Sequence, residues 1–113
     1  MTVVLHDTAP PPADSMELLR GMLEEQFAVS TAKLTQLTVA ARLPRHPDYD
    51  PHTLDALITS ARQCVAETAF ALRRMTEGTY GLCEDCHKPL PLGRLHAVPH
   101  AAYCTLCDRH QPY

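Results

Sequence analysis

The sequence lacks the features of an exported or membrane protein. Its first residues, MTVVLHDTAPPPADS, contain no Lys or Arg and only a short apolar run at Val3 to Leu5, whereas a secretory signal needs a basic segment and a longer apolar one. No stretch is apolar over the length of a membrane span. We therefore expect a cytoplasmic protein, in whose reducing surroundings paired cysteines serve as metal ligands or reactive thiols more often than as disulfides.

Positive charge is also scarce. The 10 Lys and Arg residues are outnumbered by 13 Asp and Glu residues, the formal net charge is -3, and both signs are scattered along the chain. A protein that holds DNA by itself needs a basic stripe to neutralise the phosphates. The composition therefore argues against direct, sequence-specific DNA binding.

The 113 residues are enough for one domain with a modest core, and too few for most enzyme architectures. Prolines and composition divide them into three parts. Residues 1–13 are polar and rich in proline, which predicts a flexible tail. Residues 14–78 carry two helix patterns around a tip loop near 43–51, and residues 79–113 hold four of the five cysteines. We do not expect an enzyme.

Apolar and small residues recur every three or four positions along both helix patterns, as one buried face of a helix requires. We expect the first helix to begin at a cap formed by Asp14 and to end near Arg42, and the second to run from a cap at Asp50 to Gly78. The predicted stripe of the first helix is Met16, Leu19, Leu23, Phe27, Ser30, Leu34, Leu37 and Ala41. The predicted stripe of the second is Leu54, Leu57, Ala61, Cys64, Thr68, Leu72 and Met75.

These two stripes predict a mainly α fold, a long antiparallel helical hairpin or coiled coil with a small C-terminal module. Folding back at the tip loop places Leu19 beside Met75, Phe27 beside Thr68, Ser30 beside Cys64, and Leu37 beside Leu57. In this register large residues face small ones in several layers. Cys64 is then a small buried residue of the seam.

The other four cysteines form two Cys-x-x-Cys pairs, Cys83 with Cys86 and Cys104 with Cys107. This spacing is typical of a four-cysteine, zinc-ribbon-like site, in which two tight turns supply four thiolates to a tetrahedral Zn²⁺. The segment CEDCH also fits a c-type haem attachment site or a redox dithiol, but haem leaves the second pair without a role. We predict one structural zinc per chain, bound by these four cysteines, with no open position for catalysis.

Histidines near the cysteines need a separate interpretation. His87 follows the second cysteine, where the tight turn often requires a positive φ that His tolerates. We interpret His87, His96, His100 and His110 as surface or packing residues, because four thiolates already complete the site.

Two stretches resemble a known family. EGTYGLCEDC, residues 77–86, and GRLHAVPHAAYCTLC, residues 93–107, are similar to the C-terminal zinc module of the DksA/TraR family of bacterial transcription regulators. The shared features are the Gly-Thr-Tyr-Gly lead-in, the cysteine spacing, and an Arg-Leu-x-Ala-x-Pro segment before the third cysteine. The resemblance implies a regulator that binds RNA polymerase rather than DNA and inserts its coiled-coil tip in the secondary channel to modulate initiation. We expect the protein to be a monomer.

The tip departs from that family. Well-studied members carry a D-x-x-D-x-A motif there, which this sequence does not reproduce. The acids available for partner contact are Asp48, Asp50 and Asp55. Each also has an ordinary structural role, as a turn residue, a helix cap or a first-turn acid.

The resemblance further implies basic residues that help the best-known members to cooperate with the alarmone ppGpp. The corresponding positions here hold Val98, Asp108 and Glu67. A neutral residue and two acids remove the charge-assisted bonds to phosphate, so we do not expect cooperation with ppGpp.

The roles of three arginines, and the function of the chain itself, each have an alternative interpretation. Arg73 and Arg74 end the second helix, where they complement the helix dipole or contact a partner, and Arg94 binds carbonyls of the zinc module or faces a partner. The alternative function is a zinc-stapled helical hairpin acting as a protein-protein interaction or dimerisation module. Its candidate contacts are the apolar residues Leu18, Met22 and Phe70.

Overall fold

The structure, a computed structural model, describes residues 12–44 and 49–109. Its helices are α1 (Ala13–Ala41), α2 (Pro51–Glu77), α3 (Leu92–Ala97) and α4 (Thr105–Arg109). No β-strand runs through these residues, although an isolated antiparallel bridge joins Leu82 and Pro89. The predicted fold class, a mainly α hairpin with a small C-terminal module, is confirmed. None of the helices described is long and apolar enough to cross a membrane.

Local signals set both ends of α2. The Asp50 carboxylate caps α2, accepting bonds from the backbone N–H of Thr53 at 2.7 Å and from its hydroxyl at 3.1 Å. Gly78 ends α2 with a φ of 83°, as predicted, and α1 ends beside Arg42. The predicted cap at Asp14 is wrong, because α1 follows Pro12 without a side-chain cap and Asp14 lies in its first turn.

Two separate apolar clusters hold the hairpin together. The base cluster joins α1 and α2 to the C-terminal module and contains Leu19, Leu23, Ala71, Tyr80, Cys83, Leu90, Leu95 and Ala101. The tip cluster joins the distal halves of the two helices and contains Leu37, Ala40, Leu54, Ile58 and Ala61. Because the base cluster includes residues from both parts of the chain, the C-terminal module and the hairpin share one core.

The predicted register of the hairpin is correct at its middle, where the Ser30 hydroxyl lies 2.8 Å from the Cys64 sulfur. Toward both ends the buried face differs from the predicted stripe by one residue. The buried residues there are Ala40 in α1 and Ile58, Ala71 and Arg74 in α2. Their predicted counterparts are more exposed, namely Ala41, Leu57, Leu72 and Met75. Ala71 and Arg74 are buried because they face the C-terminal module, Ala71 in the base cluster and Arg74 at the carbonyls of Thr79 and Leu82.

Candidate zinc centre and its attachment to the hairpin

Four cysteine sulfurs meet beside the base of the hairpin. The Sγ atoms of Cys83, Cys86, Cys104 and Cys107 all lie within 4.8 Å of one another, and those of Cys86 and Cys104 are 3.8 Å apart. A tetrahedron of thiolates around zinc at about 2.3 Å has edges of about 3.8 Å. The sulfur positions therefore fit a closed four-thiolate zinc site, while Cys64 lies in the hairpin seam.

Each cysteine pair forms a tight turn that directs backbone N–H groups toward its first sulfur. The Cys86 N–H donates to the Cys83 sulfur, and the Cys107 N–H to the Cys104 sulfur, both at 3.5 Å. The first turn closes through His87, whose N–H donates to the Cys83 carbonyl at 2.9 Å. His87 has a φ of 64°, the left-handed conformation predicted for it.

The electrostatics of the four thiols also suit a divalent cation. Burial disfavours the Cys83 thiolate, but hydrogen bonds from the backbone of Cys86, Cys104 and Asp85 outweigh it and lower the pKa of Cys83 to about 6. The hydrogen bond that Cys107 shares with Cys104 raises the pKa of Cys107. Adjacent thiolates repel one another, so full ionisation of the set needs a cation at its centre.

Arg74 attaches the zinc module to α2. Its side chain is only 2% exposed. One guanidinium nitrogen, Nη2, donates to the carbonyls of Thr79, at 2.8 Å, and Leu82, and Nε lies 3.1 Å from the Glu84 carboxylate. The guanidinium thus binds the chain segment that leads into the first cysteine turn.

Sequence reasoning placed Arg74 correctly in the last turn of α2 but missed its burial. The helix stops at Gly78, and the carbonyls of the following loop have no helical partner. An arginine one turn before such a loop is a sequence signal from which this contact could have been predicted. Its neighbour Arg73 stays exposed, 3.8 Å from Glu77, and lies over the Phe70 ring at 5.1 Å.

Two further contacts hold the second cysteine pair in place. The buried Tyr80 hydroxyl donates to the Pro99 carbonyl at 2.7 Å, and burial raises the pKa of Tyr80 to about 12, so it remains a donor. Arg94 Nε donates to the Tyr103 carbonyl at 3.1 Å, and its Nη2 lies 4.0 Å from Asp108. Of the two roles considered for Arg94, the structure shows the carbonyl contact.

Two of the three positions that differ from the ppGpp-binding pattern, Glu67 and Asp108, contact other residues of this chain. Glu67 lies 3.4 Å from His100 Nε2 and accepts a bond from Gln63 at 3.3 Å. Asp108 faces Arg94, and Val98 is 37% exposed.

The predicted tip acids have different surroundings. Asp48 lies outside the described residues. Both carboxylate oxygens of Asp50 bind Thr53, and the backbone bond is the main reason that the pKa of Asp50 lies below its usual range. The Asp55 side chain is exposed near the start of α2 and makes no hydrogen bond or ion pair with any described residue.

Comparison with known proteins agrees with this geometry. Residues 78–109 match the family model of the prokaryotic dksA/traR C4-type zinc finger. The chain is 37% identical over 59 residues to an uncharacterized protein of Aquifex aeolicus (strain VF5), covering 52% of this chain and 41% of that one. It is 45% identical over 40 residues to general stress protein 16O of Bacillus subtilis (strain 168), covering 35% and 24%. The match thus spans less than half of each curated relative.

Solved structures extend the likeness to the hairpin. Transcription factor DksA2 from Pseudomonas aeruginosa superposes with a TM-score of 0.70 at 21% identity, covering 88% of this chain and 84% of that one. The DnaK suppressor protein from Agrobacterium tumefaciens C58 gives 0.63 at 25% identity, covering 84% and 92%. The C4-type finger and the four adjacent sulfurs support one structural zinc in this protein. The chain thus carries a DksA/TraR-type C4 zinc finger on a DksA-like helical hairpin.

Proposed function

We propose that this protein binds RNA polymerase and regulates initiation by placing the tip of its hairpin in the secondary channel. The observation that carries the proposal is the DksA-like hairpin joined to its zinc module by a common core. Helices of 29 and 27 residues extend about 40 Å at 1.5 Å per residue. A probe of that length can reach a buried site while its base stays on the polymerase surface.

In this proposal the zinc module sets the direction of the hairpin and performs no chemistry. Cys83, Cys86, Cys104 and Cys107 are the proposed ligands, and they leave no coordination position for water or substrate. Arg74 ties the first cysteine turn to α2, so the orientation of the module is transmitted to the helix. Binding energy gained at the base can therefore hold the tip in a defined position.

At the tip, Asp55 is the acid that we assign to the partner. The Asp50 carboxylate is occupied as the cap of α2, and a cap that left to bind a partner would expose the first N–H groups of the helix. Asp55 is exposed on the first turns of the same helix and has no described partner to give up.

A tagged copy of the protein tests this function with polymerase from its own source. We expect the polymerase to co-purify, and we expect added protein to change initiation in a purified transcription assay. Asp55→Asn should keep polymerase binding and weaken the effect on initiation, because it removes only the tip charge. Glu24→Gln, at an exposed acid in the base half of α1, is the matched control and should act like the unmodified protein.

The variant Asp50→Asn tests whether Asp50 acts through its negative charge or only as the cap of α2. Asparagine is as good a cap as aspartate, so this variant should fold normally and keep most of the regulatory effect. The proposed function is wrong if the tagged protein does not retain the polymerase, which is the result expected of a hairpin that only dimerises. The assignment of Asp55 is wrong if Asp55→Asn regulates initiation as well as Glu24→Gln does.

A further inference from the structure

The apolar core of the hairpin is interrupted halfway along its length. In α1 no residue between Leu23 and Leu37 is buried, and in α2 the buried residue between Ala61 and Ala71 is Thr68, which is polar. At 1.5 Å per residue, the interval in α1 is about 21 Å. The base cluster and the tip cluster therefore do not touch through buried apolar side chains of the two helices.

Polar side chains occupy this interval. We call Gln26, Ser30, Cys64 and Thr68 the middle layer. Ser30 contacts Cys64 at 2.8 Å, whereas the Thr68 hydroxyl donates back to its own helix, to the Cys64 carbonyl at 2.8 Å. The Gln26 side-chain oxygen is buried and has no hydrogen-bond partner among the described residues. The middle layer thus specifies the register but contributes little cohesion between the helices.

Packing is also incomplete at the middle layer. A groove of about 280 Å³ lies between the helices beside Lys33 and Cys64, and a second of about 380 Å³ lies on the surface of α1 beside Met22 and Gln26. Both grooves include Ser30. Phe27, the largest side chain near the layer, is 36% exposed rather than inserted between the helices. Protein interiors are normally close-packed, so the groove between the helices means that they pack less closely here than in the two clusters.

We propose that the middle layer is a flexible joint, at which the tip half of the hairpin, residues 34–44 and 49–61, opens and bends independently of the base half. Cooperative units follow contiguous apolar packing, and that packing is discontinuous between the two clusters. The base half shares its core with the zinc module, whereas the tip half has only the tip cluster. The joint is a property of this chain's packing and does not depend on which partner the tip meets.

Hydrogen exchange measured by mass spectrometry on the full, zinc-loaded chain tests the joint. Leu37→Ala removes a buried side chain of the tip cluster and should speed amide exchange in residues 34–44 and 49–61 by about tenfold or more. Exchange in residues 14–23 and 71–77 should stay within about twofold of the unmodified protein. Equal acceleration in both halves, or unfolding of the whole chain by this one substitution, would show a single cooperative hairpin and overturn the proposal.

A second pair of variants tests the middle layer itself. Gln26→Leu replaces a buried oxygen that lacks a partner with an apolar group of similar size, so it should link the clusters and slow exchange in the tip half by about fivefold. Gln36→Leu makes the same chemical change at an exposed position of α1 and should leave that exchange unaltered. If Gln26→Leu slows exchange no more than Gln36→Leu does, the middle layer is not the joint.

Discussion

Arg74→Met should be the most damaging substitution of a charged residue in the described part of the chain. Methionine keeps the aliphatic stem but removes the guanidinium that binds the carbonyls of Thr79 and Leu82 and faces Glu84. The two carbonyls then lose their charged donor in a region where the Arg74 side chain is only 2% exposed. The loop that leads into the first cysteine turn loses its attachment to α2.

The size of the effect follows from these contacts. Each lost bond from a charged donor costs about 1.5 kcal/mol at the low end of the usual range, so two give about 3 kcal/mol. The Glu84 side chain is 38% exposed and stays hydrated, so its ion pair adds less than about 1 kcal/mol. Together these losses predict a decrease of about 3 to 4 kcal/mol in the free energy of unfolding. This corresponds to a decrease of more than a hundredfold in the equilibrium constant for folding.

Urea denaturation of the zinc-loaded protein, followed by far-ultraviolet circular dichroism, measures this loss. Arg73→Met is the matched control, because Arg73 is exposed and its pairing with Glu77 at 3.8 Å contributes less than about 0.5 kcal/mol. Arg74→Lys should fall between the two, since one ammonium cannot reproduce the planar fork of arginine. Equal denaturation midpoints for Arg74→Met and Arg73→Met would refute this account of how the zinc module is attached.

Four further predictions concern the zinc site, the seam, the cap and the partner surface. Cys104→Ser should release zinc and destabilise the C-terminal module, because structural zinc contributes on the order of 10 kcal/mol to folding; full zinc retention in a metal analysis would contradict the ligand assignment. Leu37→Asp should destabilise the tip half by several kcal/mol by burying an unpaired charge, whereas Gln36→Asp should do little, and equal thermal melts would mean that the buried face is wrong. The pKa of Asp50 is lower in the folded protein than in the unfolded chain, so its capping bond stabilises the protein fully above the unfolded-state pKa of about 4. This stabilisation is lost as the pH falls through the folded-state pKa. An NMR titration of the capped Thr53 amide can follow the loss. In transcription with its own polymerase, the protein's effect should be the same with and without ppGpp once the effect of the nucleotide alone is subtracted; synergy that vanishes when Asp108 is altered would contradict this.

The sequence by itself determined the features that depend on residues close together in the chain. The Asp50 cap and the Gly78 terminus each act within one helical turn, and the structure has both where they were predicted. The same holds for the left-handed His87 and for the two cysteine pairs. Such signals were readable because backbone geometry and the spacing of ligands are local properties.

The tertiary structure decided which faces of the helices meet and what the polar residues do there. Sequence periodicity predicted Phe27 and Leu72 in the seam, but Phe27 is partly exposed, and Ala71 is buried more deeply than Leu72 because it packs in the base cluster with the C-terminal module. The burial of Arg74 depends on where the loop after Gly78 folds back, which the spacing of residues along α2 does not specify. The interruption between the base and tip clusters likewise arises from how the two helices pack against each other, since burial is a property of distances across the fold.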